Sequence, residues 1–455
     1  MSFDYLIVGT GQAGVPLATR LAERGRSVAI FEKGHPGGTC VNVGCTPTKT
    51  MIASARAAHV ARTAARLGVR SGEIEVDLRT VVERKRAIVH RWRDRVSQRL
   101  EGSGDRLRLV RGQARFESAH TVVANGERFT GERVIVNVGC RPTRPDIPGL
   151  DGVSWLDNER AMELESSPSR LAVIGGGYIG CELGQMFRRF GAEVTILDHN
   201  RHLLSREDEE ISTAIEEVFR GEEIDLRLGV KVAQVRPGKG AALSIALSGG
   251  DEIEASHLLV AAGRTPNTDD LGCDAAGIEL DDRGFIVVDG RYRTSAPEVY
   301  AVGDVAGGPQ FTHSSWDDHR ILLSLLEDGG SRTRDDRLVP YAVFTDPSVG
   351  RVGLSEREAK ERGTEVEVAT LPFGDVARAI EVDETAGILK VLVDPHSERI
   401  LGAAIVGLEA AELIHVFVAM MAAGANARTL VDAEMIHPAL AEGLQSVLFK
   451  LPRYS

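Results

Sequence analysis

Short apolar runs closed by glycines alternate along the chain with segments in which Ala, Leu, Ile and Val recur at helical spacing. The run Phe3-Asp4-Tyr5-Leu6-Ile7-Val8 predicts a buried strand, because it is too short for a helix and enters the turn Gly9-Thr10-Gly11-Gln12-Ala13-Gly14. An Ala/Leu-rich helical pattern follows to Arg24, and residues 27–31 read as a second strand ending at Glu32. Long amphipathic helices are predicted from Thr48 to about Leu67 and from Leu78 to Leu100, with β-type runs around 107–138. The opening pattern then recurs: strand 171–174, turn Gly175-Gly176-Gly177-Tyr178-Ile179-Gly180, a helix to about Arg189, and a strand 194–197 ending at Asp198. Residues 134–139 and 258–263 are apolar strands that run into Pro-containing stretches, as expected where a chain crosses between domains. Residues 300–303 form a further strand ending at Asp304, and a third region begins beyond about Val339.

The two glycine turns carry chemistry. A single offset of 166 residues takes Gly9, Gly11, Gly14 and Glu32 onto Gly175, Gly177, Gly180 and Asp198. Tight turns, close backbone approach and a helix N-terminus suit a pyrophosphate, and the acid after the second strand suits a ribose hydroxyl pair. Asp198 would repel a 2′-phosphate, which favours NADH over NADPH at the second site, with Arg201 and Arg206 close enough to reverse that preference.

Between Glu32 and the first long helix lies Gly37-Gly38-Thr39-Cys40-Val41-Asn42-Val43-Gly44-Cys45-Thr46-Pro47-Thr48-Lys49. In one regular helix the two thiols would have Cα atoms roughly 8–9 Å apart, beyond the ~7 Å reach of a disulfide. A distorted turn is therefore required, and Gly44 permits it. Thr46 and Pro47 read as an N-cap and first helical position, which sets Cys45 near a helix N-terminus, where the dipole favours thiolate. Lys49 lies one turn further on. A thiol pair beside one of two dinucleotide sites points to a flavin and a nicotinamide dinucleotide meeting at a disulfide.

Composition narrows the setting. With 455 residues, 43% hydrophobic and 26% charged, the chain suits a soluble protein of several domains. Its five cysteines are odd in number and thinly spread, which argues against a secreted disulfide scaffold and makes the cytoplasm the expected location. A net charge of -12 speaks against nucleic-acid and anionic-membrane partners. The late apolar stretch 413–425 is interrupted by His415 and Gly424 and falls short of the roughly 20 residues of a membrane span. No resident metal is expected. Near the end, His437 and Glu442 are spaced to form a hydrogen-bonded base pair able to move protons from thiols.

Together these motifs resemble the class I pyridine nucleotide–disulfide oxidoreductases, flavoproteins that include dihydrolipoamide dehydrogenase, glutathione reductase and mercuric reductase, over essentially the whole chain. The resemblance implies an α/β fold with two Rossmann-like dinucleotide-binding domains: an FAD domain at 1–150 and 266–335 and an NAD(P) domain at 151–265. A C-terminal α+β dimerisation domain at 336–455 completes it. Carried over residue by residue, Cys45 is the flavin-facing thiol of a charge-transfer complex and Cys40 the thiol that exchanges with substrate. Lys49 and Glu182 are the pair near the flavin and nicotinamide rings, and Tyr178 is the gate over the nicotinamide pocket. Asp304 binds the ribityl region and Glu32 the adenosine ribose, with Gly139 and Gly263 among the cofactor-binding positions. His437 and Glu442 are an acid–base couple reaching the disulfide of the other subunit of a homodimer.

The resemblance has departures. No cysteine follows Cys273, whereas mercuric reductases typically carry a C-terminal pair. Thr46 replaces an apolar residue, Asn137-Val138-Gly139 stands where Ala-Thr-Gly is common, and Tyr178 is more typical of glutathione-type enzymes. The stretch Phe311-Thr312-His313-Ser314-Ser315-Trp316-Asp317-Asp318 and the ending after Glu442 resemble a bacterial subgroup loosely called mercuric-reductase-like. The expected function is an FAD-dependent NAD(P)H oxidoreductase that passes electrons through Cys40 and Cys45 to a disulfide, a metal ion or another small thiol-reactive acceptor. Dihydrolipoamide dehydrogenase and a low-turnover redox sensor are the alternatives.

Overall fold

The computed structural model describes residues 1–240 and 242–455. The chain forms two compact units, one of residues 1–50, 83–143 and 263–337, the other of 51–82, 144–262 and 338–455.

In the first unit the strand Ser2–Val8 lies between Val28–Glu32 and Glu127–Val136, parallel to both. Leu107–Arg111 extends the sheet beyond Val28–Glu32, and Val299–Ala301 pairs with the end of Glu127–Val136. Tyr5 to Val8 are buried in succession, because helices and a meander cover both faces of a parallel sheet. Register then decides where chemistry can occur: Val8 is level with Phe31 and Val136, and Val136 with Ala301. The next residues, Gly9, Glu32, Asn137 and Val302, therefore gather at the carboxyl edge of the sheet, where ligands bind in such folds. An antiparallel meander, Ala114–Ser118 and Thr121–Ala124 against the first half of Glu127–Val136, closes the other end.

The second unit repeats this design. Its parallel sheet runs Asp225–Leu228, Glu193–Asp198, Arg170–Ile174, His257–Val260, with Ile174 level with Leu197 and Val260. Gly175, Asp198 and Ala261 come next. A three-stranded antiparallel meander, Val232–Pro237, Leu243–Leu247 and Glu252–Ala255, follows. The C-terminal region is a five-stranded antiparallel sheet in the order Tyr341–Val343, Ser348–Gly353, Ile400–Gly407, Ile388–Val393, Glu367–Pro372. Among the described residues no helix is long and apolar enough to cross a membrane.

One buried ionic cluster ties that sheet to the helix Glu209–Gly221 of the same unit. Lys390 is fully buried and donates to Glu210 at 2.7 Å and Glu356 at 2.8 Å, with Asp208 at 3.2 Å. Burial alone would push the Asp208 carboxyl up, but Lys390, the Glu356 N–H and Arg351 outweigh it, and the carboxyl is held below its usual range. Lys390→Met leaves Asp208 buried with only the more distant Arg351, at 3.9 Å, as a cation, and is expected to cost about 3 kcal/mol of stability at pH 7. A carboxylate held low in the folded state stabilises above its unfolded value and loses that contribution as pH falls through the folded one. The gap between wild type and variant, read from unfolding midpoints, should therefore narrow below about pH 4.

Candidate active site

The offset between the two glycine turns extends to their hydrogen bonds. Gly9 N–H donates to the Phe31 carbonyl at 3.0 Å, and Gly175 N–H donates to that of Leu197 at 2.9 Å. Thr10 N–H donates to the Glu32 carboxylate at 3.3 Å, and Gly176 N–H to the Asp198 carboxylate at 2.5 Å. A Cβ on Gly14 would lie 2.2 Å from the Gly9 carbonyl oxygen, and one on Gly180 1.8 Å from that of Gly175, so each helix can approach its strand only through glycine. Gly177 differs: its φ is −77° and a Cβ there would meet nothing within 4 Å. Neither backbone conformation nor packing calls for glycine at that position, whereas close approach of a pyrophosphate does.

Both acids are oriented but keep spare acceptor capacity. Glu32 also accepts from Gly34 N–H at 2.7 Å, and Asp198 accepts from the Asn200 backbone and side-chain amides at 2.7 and 2.9 Å. Asp304 follows Gly303 in the turn after Val299–Ala301, where burial pushes its carboxyl up against the opposing charge of Arg264. A ligand hydroxyl would suit that carboxyl. These donors and acceptors fit two dinucleotides.

The thiol segment folds as a broken helix. Cys40 lies in a short helix Gly38–Asn42, Val43 leaves helical geometry at φ −142°, and a new helix Cys45–Thr63 begins at the second thiol. The expected helix start at Thr48 thus moves back to Cys45. Pro47 is tolerated inside the first turn because amides there have no helical acceptor to lose. Thr46 is helical rather than a cap, its carbonyl accepting from Thr50 Oγ1 at 2.8 Å. Gly44 is needed at the break, since a Cβ would come within 2.9 Å of the Thr39 carbonyl oxygen. The segment is fastened to the first glycine turn: Gly37 N–H donates to the Thr10 carbonyl at 3.1 Å and Gln12 Nε2 to the Gly37 carbonyl at 3.1 Å.

The two cysteines are in the dithiol form and half-buried. The Cys40 thiol is pushed up, first by its hydrogen bond with Cys45 and then by burial, with Thr312 and the charge of Lys49 pulling the other way. Thr312 Oγ1 lies 3.1 Å from Cys45 Sγ. The other three thiols are buried: Cys140 is pushed up to about 12 by burial and Asp304, Cys273 to about 11 by burial, and Cys181 further still. They are poor nucleophiles.

The remaining expected residues take these places. Lys49 is half-buried, one turn into the helix from Cys45. Glu182 is buried on the helix Tyr178–Arg189 and accepts from Phe344 N–H at 2.9 Å, while Tyr178 opens that helix and is 38% exposed. Gly139 and Gly263 adopt φ of +64° and +122°, each at the turn into a strand of the antiparallel pair Cys140–Pro142 and Arg264–Pro266. His437 Nδ1 lies 3.0 and 3.2 Å from the two Glu442 carboxylate oxygens. The Glu442 carboxyl is held below its usual range by the Ala439 N–H and by His437. The imidazole is 70% exposed, so its Nε2 edge is open to a neighbour. Among the described residues no cluster of His, Cys, Asp and Glu is arranged to hold a metal.

Two residues absent from the expected set also bear on the site. Thr312 meets Cys45 from 267 positions away, and Asn137 joins the first glycine turn to the Asp304 turn. Both belong to stretches in which this chain departs from, or subdivides, the family pattern, and that departure was the available signal.

Two dinucleotide turns with a dithiol fastened to one of them define a nucleotide-dependent redox enzyme. Comparison with known proteins makes the class specific: the family model "Pyridine nucleotide-disulphide oxidoreductase" matches residues 3–318, and its dimerisation-domain model matches 339–448. The chain belongs to the pyridine nucleotide–disulphide oxidoreductase family, whose members use FAD and a nicotinamide cofactor. It is 36% identical to a mercuric reductase of Staphylococcus aureus, covering 97% of this chain and 81% of that protein. It is 35% identical to a dihydrolipoyl dehydrogenase of Thermus scotoductus, covering 97% and 96%. Among solved structures, the Cu(II) complex of the HOCl-induced flavoprotein disulfide reductase RclA from Escherichia coli superposes with a TM-score of 0.89 at 34% identity, covering 98% of this chain and 99% of that one.

Proposed function

We propose that this protein is a cytoplasmic, homodimeric NAD(P)H oxidoreductase that sends electrons through FAD to the Cys40–Cys45 pair and on to a disulfide, a metal ion or another thiol-reactive acceptor. The observation that carries the reading is the broken helix holding two half-buried thiols, hydrogen-bonded through Gly37 to the first dinucleotide turn. Bound FAD would accept a hydride from reduced nicotinamide and deliver the electron pair to the disulfide. The protein's part is to divide the thiols: Cys45, at the start of a 19-residue helix and beside the Thr312 hydroxyl, holds negative charge, while Cys40 keeps the proton and exchanges outward. Lys49 and Glu182 serve the ring end of the two cofactors, with Tyr178 as the gate, and Glu32 and Asp304 hold the FAD ribose and ribityl hydroxyls. His437 of the partner subunit, oriented by its carboxylate neighbour, takes up and returns the thiol proton, so each site draws on two chains.

Asp198 supports NADH over NADPH, because its carboxylate is anchored at the end of its strand, where a 2′-phosphate would meet it. For the acceptor, a metal ion is favoured by the likeness to a reductase solved with Cu(II) and to proteins named mercuric reductase. The test is stopped-flow reduction by NADH and by NADPH, followed by reoxidation with lipoamide, glutathione disulfide, Cu(II), Hg(II), a quinone and oxygen. NADH is expected to reduce the enzyme at least about ten-fold faster, and a thiol-reactive acceptor to reoxidise it. Fast turnover of dihydrolipoamide with NAD+ would instead make it a dihydrolipoamide dehydrogenase, and reduction without turnover on any acceptor would make it a sensor.

A further inference from the structure

We propose that Asn137 is a positioning residue for the flavin dinucleotide, clasping the pyrophosphate turn and the Asp304 turn at one fixed spacing; this rests on reading the first glycine turn as the FAD site. Asn137 directly follows the strand Glu127–Val136 and is 6% exposed. Its Oδ1 accepts from Gly14 N–H at 3.0 Å, its Nδ2 donates to the Val302 carbonyl at 3.1 Å, and its own N–H donates to the Val8 carbonyl at 2.8 Å. One side chain thus joins segments 123 and 165 positions away.

Each end of the clasp lies where the cofactor would. Gly14 opens the helix Gly14–Glu23, whose N-cap residue Ala13 makes no side-chain cap, and Asn137 satisfies that first-turn amide from a distant strand. Val302 immediately precedes Gly303 and Asp304. The neighbours are shaped to the amide: a Cβ on Gly11 would stand 2.7 Å from Asn137 Oδ1, and one on Gly303 2.6 Å from Nδ2.

The second glycine turn supplies an internal comparison. Ala261 occupies the corresponding place, since its N–H donates to the Ile174 carbonyl at 2.8 Å and its own carbonyl oxygen faces Gly175 as that of Asn137 faces Gly9. With no amide to cap the turn, helix begins at Tyr178, two positions earlier in the repeat than Gly14. Gly177 has open space where Gly11 has Asn137. The strand–turn–helix unit therefore forms without asparagine. What the first turn has in addition is the acidic turn on the adjacent strand, and a ligand contacting both needs their separation held. A nicotinamide nucleotide that leaves at every turnover gains little from such a clasp, whereas a retained cofactor gains residence time by preorganisation.

Asn137→Ala places the second turn's residue in the first, and Asn137→Asp keeps the acceptor for Gly14 but removes the donor to Val302. In the purified holoenzyme, flavin release on dilution, read as recovery of free FAD fluorescence, should be about ten- to a hundred-fold faster for Asn137→Ala, and faster than wild type for Asn137→Asp. The KM for NADH should stay within about two-fold, because the second turn is untouched. Wild-type release rates in both variants would overturn the proposal, as would release that only keeps pace with global unfolding measured on the same samples. If Asn137→Ala does not fold, Asn137→Asp decides alone. Wild-type protein that neither carries FAD nor takes it up would fail at the earlier step, the identity of the site, and is told apart by that.

Discussion

Cys45→Ser is expected to abolish the long-wavelength absorbance that appears when the enzyme is reduced by two electrons, and to lower turnover with every acceptor by about 10³-fold or more. Serine matches cysteine in shape, so the backbone break at Val43 and Gly44 and the hydrogen bond to Thr312 survive. What disappears is a group that can hold negative charge near neutral pH. Cys40→Ser should fail differently, losing turnover while keeping the absorbance band, because under the proposed division of roles the exchanging thiol is gone and the flavin-facing one remains. Thr312→Val grades the effect. Removing the hydroxyl 3.1 Å from Cys45 Sγ takes a donor from the thiolate, so the band should persist but emerge only at higher pH. A band that survived Cys45→Ser and vanished in Cys40→Ser would reverse the two assignments.

What was legible in the sequence, and what was not, follows from distance along the chain. The strand–turn–helix–strand units are local, and the last glycine of each turn is dictated by a contact within a few residues, Gly14 against the Gly9 carbonyl and Gly180 against that of Gly175. The offset of 166 therefore predicted equivalent positions, and the structure adds equivalent hydrogen bonds, Thr10 to Glu32 and Gly176 to Asp198. The need for a distorted turn between Cys40 and Cys45 was equally local, a matter of helix geometry. The helix boundary was misplaced because Thr-Pro is a cap signal only where the preceding residue is non-helical, and the break at Val43 had already reset the chain at Cys45. Thr312 and Asn137 act across 267 and 123 positions, and no periodicity or spacing rule connects a hydroxyl or an amide to a partner so far away. The Lys390 cluster was hidden for a related reason. A lysine inside the strand Ile388–Val393 reads as a solvent-facing position until the carboxylates from 208, 210 and 356 arrive around it.

His437→Ala should leave reduction of the enzyme by NADH near the wild-type rate and slow the exchange with acceptor by about 10²–10⁴-fold, the range for loss of a positioned acid–base group. The reasoning starts from the ring itself. Glu442 accepts at Nδ1 and is itself anchored by the Ala439 N–H at 2.8 Å, so the imidazole presents Nε2 in a fixed orientation. Glu442→Gln, which holds the ring less firmly and stabilises an imidazolium less, should cost about ten-fold. Subunit mixing then tests whether the couple acts across the dimer. In a heterodimer of one His437→Ala chain and one Cys45→Ser chain, a shared-site arrangement leaves one site with intact cysteines from the first chain and an intact histidine from the second. Such heterodimers should recover about half the wild-type turnover, whereas each homodimer is nearly inactive. If thiols and histidine act within one chain, both sites of the heterodimer are defective and activity stays at the level of the parents, which would sink the shared-site reading while leaving the chemistry of the couple intact.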